Sequence, residues 1–202
     1  MSAADPMKLY ITTPSPFARK CRIVVREKGL AVQEIAVDPY ANAPELLESN
    51  PLIQVPSLIA VDGLPLNDSP VICEYLDGLG DGSRLLPSDG DERLRVRRIE
   101  GAADGLLEMG VKLVLEKRRP ETERSPSWMA RWSDNMLRAL DVLEAAGLSA
   151  DDFHIGTLTT GVALTWLDFR HPDFDWKTNR PGLVALQAAL EARPSFEATR
   201  PV

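Results

Sequence analysis

Asn50-Pro51-Leu52-Ile53-Gln54-Val55-Pro56-Ser57-Leu58 is the stretch on which the reading of this chain turns. It opens with Asn50-Pro51, which breaks a helix because the residue before a proline is pushed out of the α region. The run Val55 to Val61 then reads as a strand, yet it carries Pro56 near its start. A proline cannot donate a ladder hydrogen bond, so Pro56 is out of place inside a central strand. A trans proline at a sheet edge satisfies that pattern. So does a cis Val55–Pro56 bond, the form taken by about 5–6% of X–Pro bonds. The cis form would kink the chain and turn the Val55 N–H and C=O outward, where they could pair with an extended peptide.

Downstream of this stretch, Asp62-Gly63 is a hairpin turn and Pro65 to Asn67 a brief further strand. Ser69 to Leu79 then reads as a helix with Pro70 in its first turn. Upstream, Lys8 to Ile11 is a short strand, and Pro16 opens an amphipathic helix that runs to Lys28 behind Ser15 as candidate N-cap. Gly29 offers a left-handed stop, Val32 to Val37 a second strand and Pro44 to Ser49 a short helix. The order β-α-β-α-β-β-α predicts a four-stranded mixed sheet, a parallel β-α-β feeding an antiparallel hairpin, with helices packed on it.

Gly80-Asp81-Gly82-Ser83 and Pro87-Ser88-Asp89-Gly90 are breaker-rich and polar, and strand signals vanish after them. Asp91 to Arg118 carries apolar residues at three-and-four spacing. Ser125-Pro126 starts a second long helix that stops at Gly147, and Pro181 starts another running to Ala192. Between them, Thr157 to Phe169 is apolar on nearly every side and therefore reads as buried, with Thr157 as its cap. The expected organisation is an α/β domain over 1–80, a linker over 81–90 and an all-helical bundle over 91–202.

Composition narrows the function. The 202 residues carry a net charge of −7, which argues against a general nucleic-acid binder. No apolar run approaches the roughly 20 residues of a membrane span, and the first residues lack the pattern of a secretory signal. Cys21 and Cys73 form no C-x-x-C pair, as expected in a reducing cytoplasm. His154 and His171 have no neighbour at metal-ligand spacing, so no metal site is expected.

Two helix starts carry candidate chemistry. At Asp68-Ser69-Pro70, backbone N–H groups and the helix dipole favour a carboxylate, and Asp68 could take an ammonium group. Together they suit the two ends of an α-amino acid, although Ser69 could equally cap its own helix. At Ser15-Pro16-Phe17 a hydroxyl lies in a positive field, to which Arg19, Lys20, Arg22, Arg26 and Lys28 would add. A thiolate held there would be stabilised. Here too the alternatives are a plain cap and a solvated basic face.

Ser15-Pro16-Phe17-Ala18-Arg19-Lys20, the Asn50–Leu58 stretch and Asp68-Ser69-Pro70-Val71-Ile72-Cys73-Glu74-Tyr75-Leu76 resemble three ordered motifs of the glutathione S-transferase superfamily. The similarity continues in Leu94 to Asp104 and in Trp166-Leu167-Asp168-Phe169-Arg170, and it looks closest to a bacterial subgroup. It implies a thioredoxin-like N-terminal domain followed by a helical one. By the same resemblance Val55 binds the cysteinyl backbone of glutathione, with Pro56 as the cis residue. Asp68 and Ser69 bind the γ-glutamyl end, Gln54 the glycyl end, and Ser15 faces the sulfur as the catalytic residue. Ser15 stands where other classes carry cysteine, which removes a mixed disulfide through that position. Cys21, six residues on, is expected to be buried packing, Ile53 replaces a common glycine, and Thr160 a common aspartate.

The activity implied is transfer of the glutathione thiolate, with glutathione as co-substrate, to a small hydrophobic electrophile. Its pocket is expected between Ser15 and the helices after the linker, with Glu100, Asp104, Glu108 and Met109 as candidate lining. Glutathione-dependent peroxidase or reductase chemistry, and a non-catalytic interaction module, are the alternatives the fold allows. The resemblance also implies a cytoplasmic homodimer.

Overall fold

The computed structural model describes residues 6–80 and 82–202; Asp81 of the expected linker and the first five residues lie outside the described residues. Strand β1 (Met7–Ile11) is followed by α1 (Pro16–Glu27), β2 (Val32–Ala36), a single 3-10 turn at Pro39–Ala41, and α2 (Pro44–Ser49). Then come β3 (Ser57–Ile59), β4 (Pro65–Asn67) and α3 (Ser69–Asp77). The sheet has the order β2-β1-β3-β4, with β1 parallel to β2 and antiparallel to β3, and β3 antiparallel to β4. This is the four-stranded mixed sheet that the order of elements predicts.

Local chemistry explains most boundaries. Gly29 ends α1 at φ +59°, a left-handed conformation that costs glycine nothing. Gly63, at φ +83°, closes the hairpin by donating its N–H to Ala60 at 2.9 Å. Strand β3 is shorter than the apolar run suggested. Val55 and Pro56 lie before its first ladder pair, Tyr10 with Ser57. Pro56 follows a cis peptide bond and has no N–H to give.

The helical region contains α4 (Gly90–Arg118), a second 3-10 turn at Glu121–Glu123, α5 (Pro126–Ala145), α6 (Ile155–Arg170) and α7 (Pro181–Glu191). Helix α4 packs against both α5 and α6, and α7 against α5 and α6. Leu106, Leu107, Leu140, Leu143, Leu158, Val162 and Leu164 are fully buried, each contributing on the order of 1.5–3 kcal/mol. Close approach of α6 to α4 depends on Gly156, where an added Cβ would meet Ile99 and the Val96 carbonyl at 2.9 Å.

Helix α6 starts two residues before Thr157, and its cap is His154, whose Nδ1 accepts the Thr157 N–H at 3.1 Å. Thr157 instead donates its hydroxyl to the Asp152 carbonyl, and Thr160 donates to that of Gly156. Burial holds the His154 pKa below its ordinary value, as an imidazole that must accept a hydrogen bond requires.

The chain forms two compact units. Residues up to Arg84 group with Pro194–Val202, and Leu85–Arg193 form the other. In the first, a last short helix α8 (Pro194–Glu197) packs on α1. Arg19 donates to the Phe196 carbonyl at 3.0 Å and lies over the Phe196 ring, while Ser195 donates to Glu27.

Candidate functional site

The sheet register brings three turns to one edge. Tyr10 is paired with Ser57 and Ser57 with Asn67, so the carboxyl end of β1, the amino end of β3 and the carboxyl end of β4 lie side by side. The chain leaving β1 reaches Ser15, the chain entering β3 is Gln54-Val55-Pro56, and the chain leaving β4 is Asp68-Ser69. The N-termini of α1 and α3 therefore open at the same edge. The first-turn N–H groups that remain unpaired there, and the two helix dipoles, make that edge electropositive.

Ser69 is the most informative of these residues. It is only 2% exposed, and its Oγ has no hydrogen-bond partner. It does not cap its own helix. The N-cap is Asp68, whose side chain makes no capping bond either. A buried hydroxyl left without a partner costs about 1–3 kcal/mol, and native proteins seldom leave such a group unexplained. Asp68 itself is exposed and held at φ +72°, ψ +128°, a conformation sparsely populated outside glycine. That backbone sets Asp68 and Ser69 next to one another at the first turn of α3.

The Val55–Pro56 bond is cis, and the Val55 N–H and C=O take no partner among the described residues. Val55 is half-buried and Gln54 exposed. Their loop is anchored from behind by Asn50, which donates from Nδ2 to the Gln54 carbonyl at 2.9 Å and accepts the Leu52 N–H at 3.0 Å. Ile53, between them, sits at φ +52°, a left-handed conformation strained for a β-branched residue. At the third turn Ser15 caps α1, its Oγ accepting the Ala18 N–H at 3.2 Å. The hydroxyl hydrogen remains available to an acceptor outside, so capping and donation are compatible in one side chain.

The basic residues of α1 and its C-cap are not a solvated face, and Arg22, Arg26 and Lys28 are paired with carboxylates. Arg22 and Arg26 both pair with Glu34 on β2, at 2.8 and 2.6 Å, and hold its carboxyl below its ordinary pKa despite partial burial. Lys28 pairs with buried Asp77 at 3.5 Å and donates to the Gly82 and Ser83 carbonyls. Arg19 and Lys20 are buried. Burial, with Glu45 and Glu48 nearby, pushes the Tyr10 hydroxyl up and keeps it protonated.

Cys21 is wholly buried, with its sulfur 3.7 Å from that of Cys73, which agrees with packing. On α4, Glu100 is buried and paired with Arg97 at 2.7 Å, Asp104 and Met109 are half-buried and Glu108 is exposed. Trp166 and Trp176 belong to the core, whereas Trp128 is exposed. Among the described residues no group of three or more His, Cys, Asp or Glu is placed to hold a metal ion, and no helix is long and apolar enough to cross a membrane.

Reading by residue type misses three groups behind these turns: Asn50, Ser57 and Asn67. Counting back from the Asp62-Gly63 turn would have set Ser57 opposite Asn67, but the burial of Asn50 and Ser57 gives no local signal.

Residues 9–84 match the family described as the N-terminal domain of glutathione S-transferases. The chain is 37% identical over 199 residues to the uncharacterized GST-like protein YibF of Escherichia coli K12, covering 96% of this chain and 98% of that protein. Among solved structures, it is similar to a glutathione S-transferase of Methylobacillus flagellatus with glutathione bound. That likeness has a TM-score of 0.91 at 34% identity, over 97% of this chain and all of the other. It is likewise similar to a glutathione transferase family member of Pseudomonas fluorescens Pf-5 with bound glutathione. Here the TM-score is 0.90 at 35% identity, over 97% and 99% of the two chains.

Proposed function

The chain belongs to the glutathione S-transferase superfamily, and on that premise we propose that it binds reduced glutathione and transfers its thiolate to a small hydrophobic electrophile. The γ-glutamyl carboxylate takes the Ser69 hydroxyl and the first-turn N–H groups of α3, and its ammonium group takes Asp68. The cysteinyl backbone pairs with the N–H and C=O of Val55, which the cis bond to Pro56 turns toward it, and Gln54 meets the glycyl end. Ser15 donates its hydroxyl hydrogen to the sulfur. A donor in a positive field favours the thiolate over the thiol and so raises the fraction of nucleophile at neutral pH. The thiolate then forms a carbon–sulfur bond as the electrophile releases its leaving group or takes up a proton. The same reading makes the protein a cytoplasmic homodimer.

The observation that carries this reading is the buried, unpartnered Ser69 hydroxyl at the start of α3. A scaffold with no ligand at this edge would gain stability from alanine there, whereas a glutathione site uses the donor. Calorimetric titration with reduced glutathione tests it. The expected binding is micromolar to millimolar, on the order of −4 to −8 kcal/mol, and Ser69→Ala weakens it about tenfold or more. Ser15→Ala should leave binding nearly intact and lower the rate with an aryl halide by roughly 10²-fold. Absence of glutathione binding by the unmodified protein would overturn the proposal.

A further inference from the structure

Behind the two turns that this reading assigns to glutathione runs a polar chain, buried except at half-buried Asn67. Asn67, the last residue of β4, stands opposite Ser57, the first of β3. Its side-chain amide faces the carbonyls of Ser49 and Leu66, which only accept, so the atom turned toward them is nitrogen. In that orientation the Asn67 nitrogen lies 2.9 Å from Ser57 Oγ and 3.3 Å from the Ser49 and Leu66 carbonyls, so its two hydrogens are shared among three acceptors. Ser57 Oγ accepts from Asn67 and donates in turn to the Ser49 carbonyl at 3.4 Å. Asn50, next in sequence to Ser49, carries the connection to the Gln54 carbonyl. Ser57 is wholly buried, and Ser49 and Asn50 are each 3% exposed.

Asn67 immediately precedes Asp68-Ser69, and Ser57 immediately follows Val55-Pro56. Both flanking turns hold non-glycine residues at positive φ, Ile53 and Asp68. Such conformations persist only where the surroundings over-determine them. We infer that Asn67 and Ser57 are positioning residues that hold the Val55 turn and the Ser69 turn in fixed register, so that glutathione meets both at once. The inference rests on the proposed glutathione site. Neither side chain touches the ligand. Each acts through the bond they share, and its loss would leave the buried Ser57 oxygen without its incoming donor and let the two turns move apart.

The test is glutathione affinity, with melting temperature recorded alongside, for Asn67→Ala, Ser57→Ala, the double variant, and Asn67→Ser, which keeps a shorter donor should the alanine variant fold poorly. Each single variant is expected to weaken binding about tenfold, as loss of a buried hydrogen bond would. The double variant should be no weaker than the worse single one, because both remove the same link. Asn67→Ser should fall between Asn67→Ala and the unmodified protein. A lower melting temperature with unchanged affinity would show the pair to be structural only and overturn the inference. So would strictly multiplicative losses in the double variant. If the unmodified protein binds no glutathione, the proposed function falls, and this inference with it.

Discussion

Two helix starts in this chain carry buried hydroxyls, threonines in one and a serine in the other, and leave them in opposite states. At the start of α6, His154, Thr157, Thr159 and Thr160 are all buried and all hydrogen-bonded, to one another's backbone or to the neighbouring turn. At the start of α3, Ser69 is just as buried, yet its hydroxyl has no partner, and the residue before it is held at positive φ. The first arrangement contributes stability; the second costs it. Proteins leave a polar group unmade in this way mainly where something else completes it. The contrast therefore separates a helix start whose hydroxyls are all satisfied from one that leaves a donor unpartnered, the feature on which the proposed glutathione site rests.

The comparison can be broken by substitution. The largest effect is expected at the closed start, where Gly156→Ala drives a Cβ into Ile99 and the Val96 carbonyl at 2.9 Å. Overpacking of that kind costs about 2–3 kcal/mol, to be read by denaturant unfolding. Next, Thr157→Val keeps the shape and removes the buried hydroxyl that donates to the Asp152 carbonyl. It should cost about 1–2 kcal/mol. Ser69→Ala, the matching change at the open start, should leave stability unchanged or raise it by up to about 1 kcal/mol while weakening glutathione binding. If both hydroxyls prove equally stabilising, the distinction between the two helix starts fails.

Two smaller effects sharpen it. Ile53→Gly removes the strain of a β-branched residue at φ +52°. Set against the greater backbone freedom of glycine, the net gain should be about 1 kcal/mol. A loss of stability instead would show that the Ile53 side chain contributes more than its backbone costs. The smallest effect is on pH dependence. Burial lowers the pKa of both His154 and His171 from the ordinary value of 6.5. The unfolded chain therefore takes up protons near 6.5 that the folded one refuses. Stability should be flat above that pH and decline as pH falls through it, by a few degrees in melting temperature. A His154→Asn variant, which keeps a capping side chain that does not titrate, should lose part of that decline.

The predicted order of strands and helices matches the structure because it rests on local rules. A proline fits the first turn of α1, α2, α3, α5 and α7, Gly29 and Gly63 take positive φ, and apolar residues recur at the spacing of each element. For the candidate site the same local rules reach positions and no further. Ser15 and Ser69 announce themselves as hydroxyls at helix starts, and Pro56 as a proline where a ladder needs a donor. What these residues do with their hydrogen bonds was not legible. Whether Ser69 caps its helix or is left buried without a partner depends on atoms that only the folded chain supplies.

The amino-acid sequence by itself determined the elements, their order and the places where the chain must turn, since each depends on residues within a few positions of one another. Only the tertiary structure decided which polar groups are satisfied. It set the basic residues of α1 against Glu34 and Asp77, and gave α6 a histidine cap. It joined Asn67 to Ser57 beneath two turns, and brought Phe196 and Thr199 back onto Arg19 across 177 and 180 residues. These partners share no sequence neighbourhood. Their hydrogen bonds matter because burial removes the water that would otherwise have satisfied them.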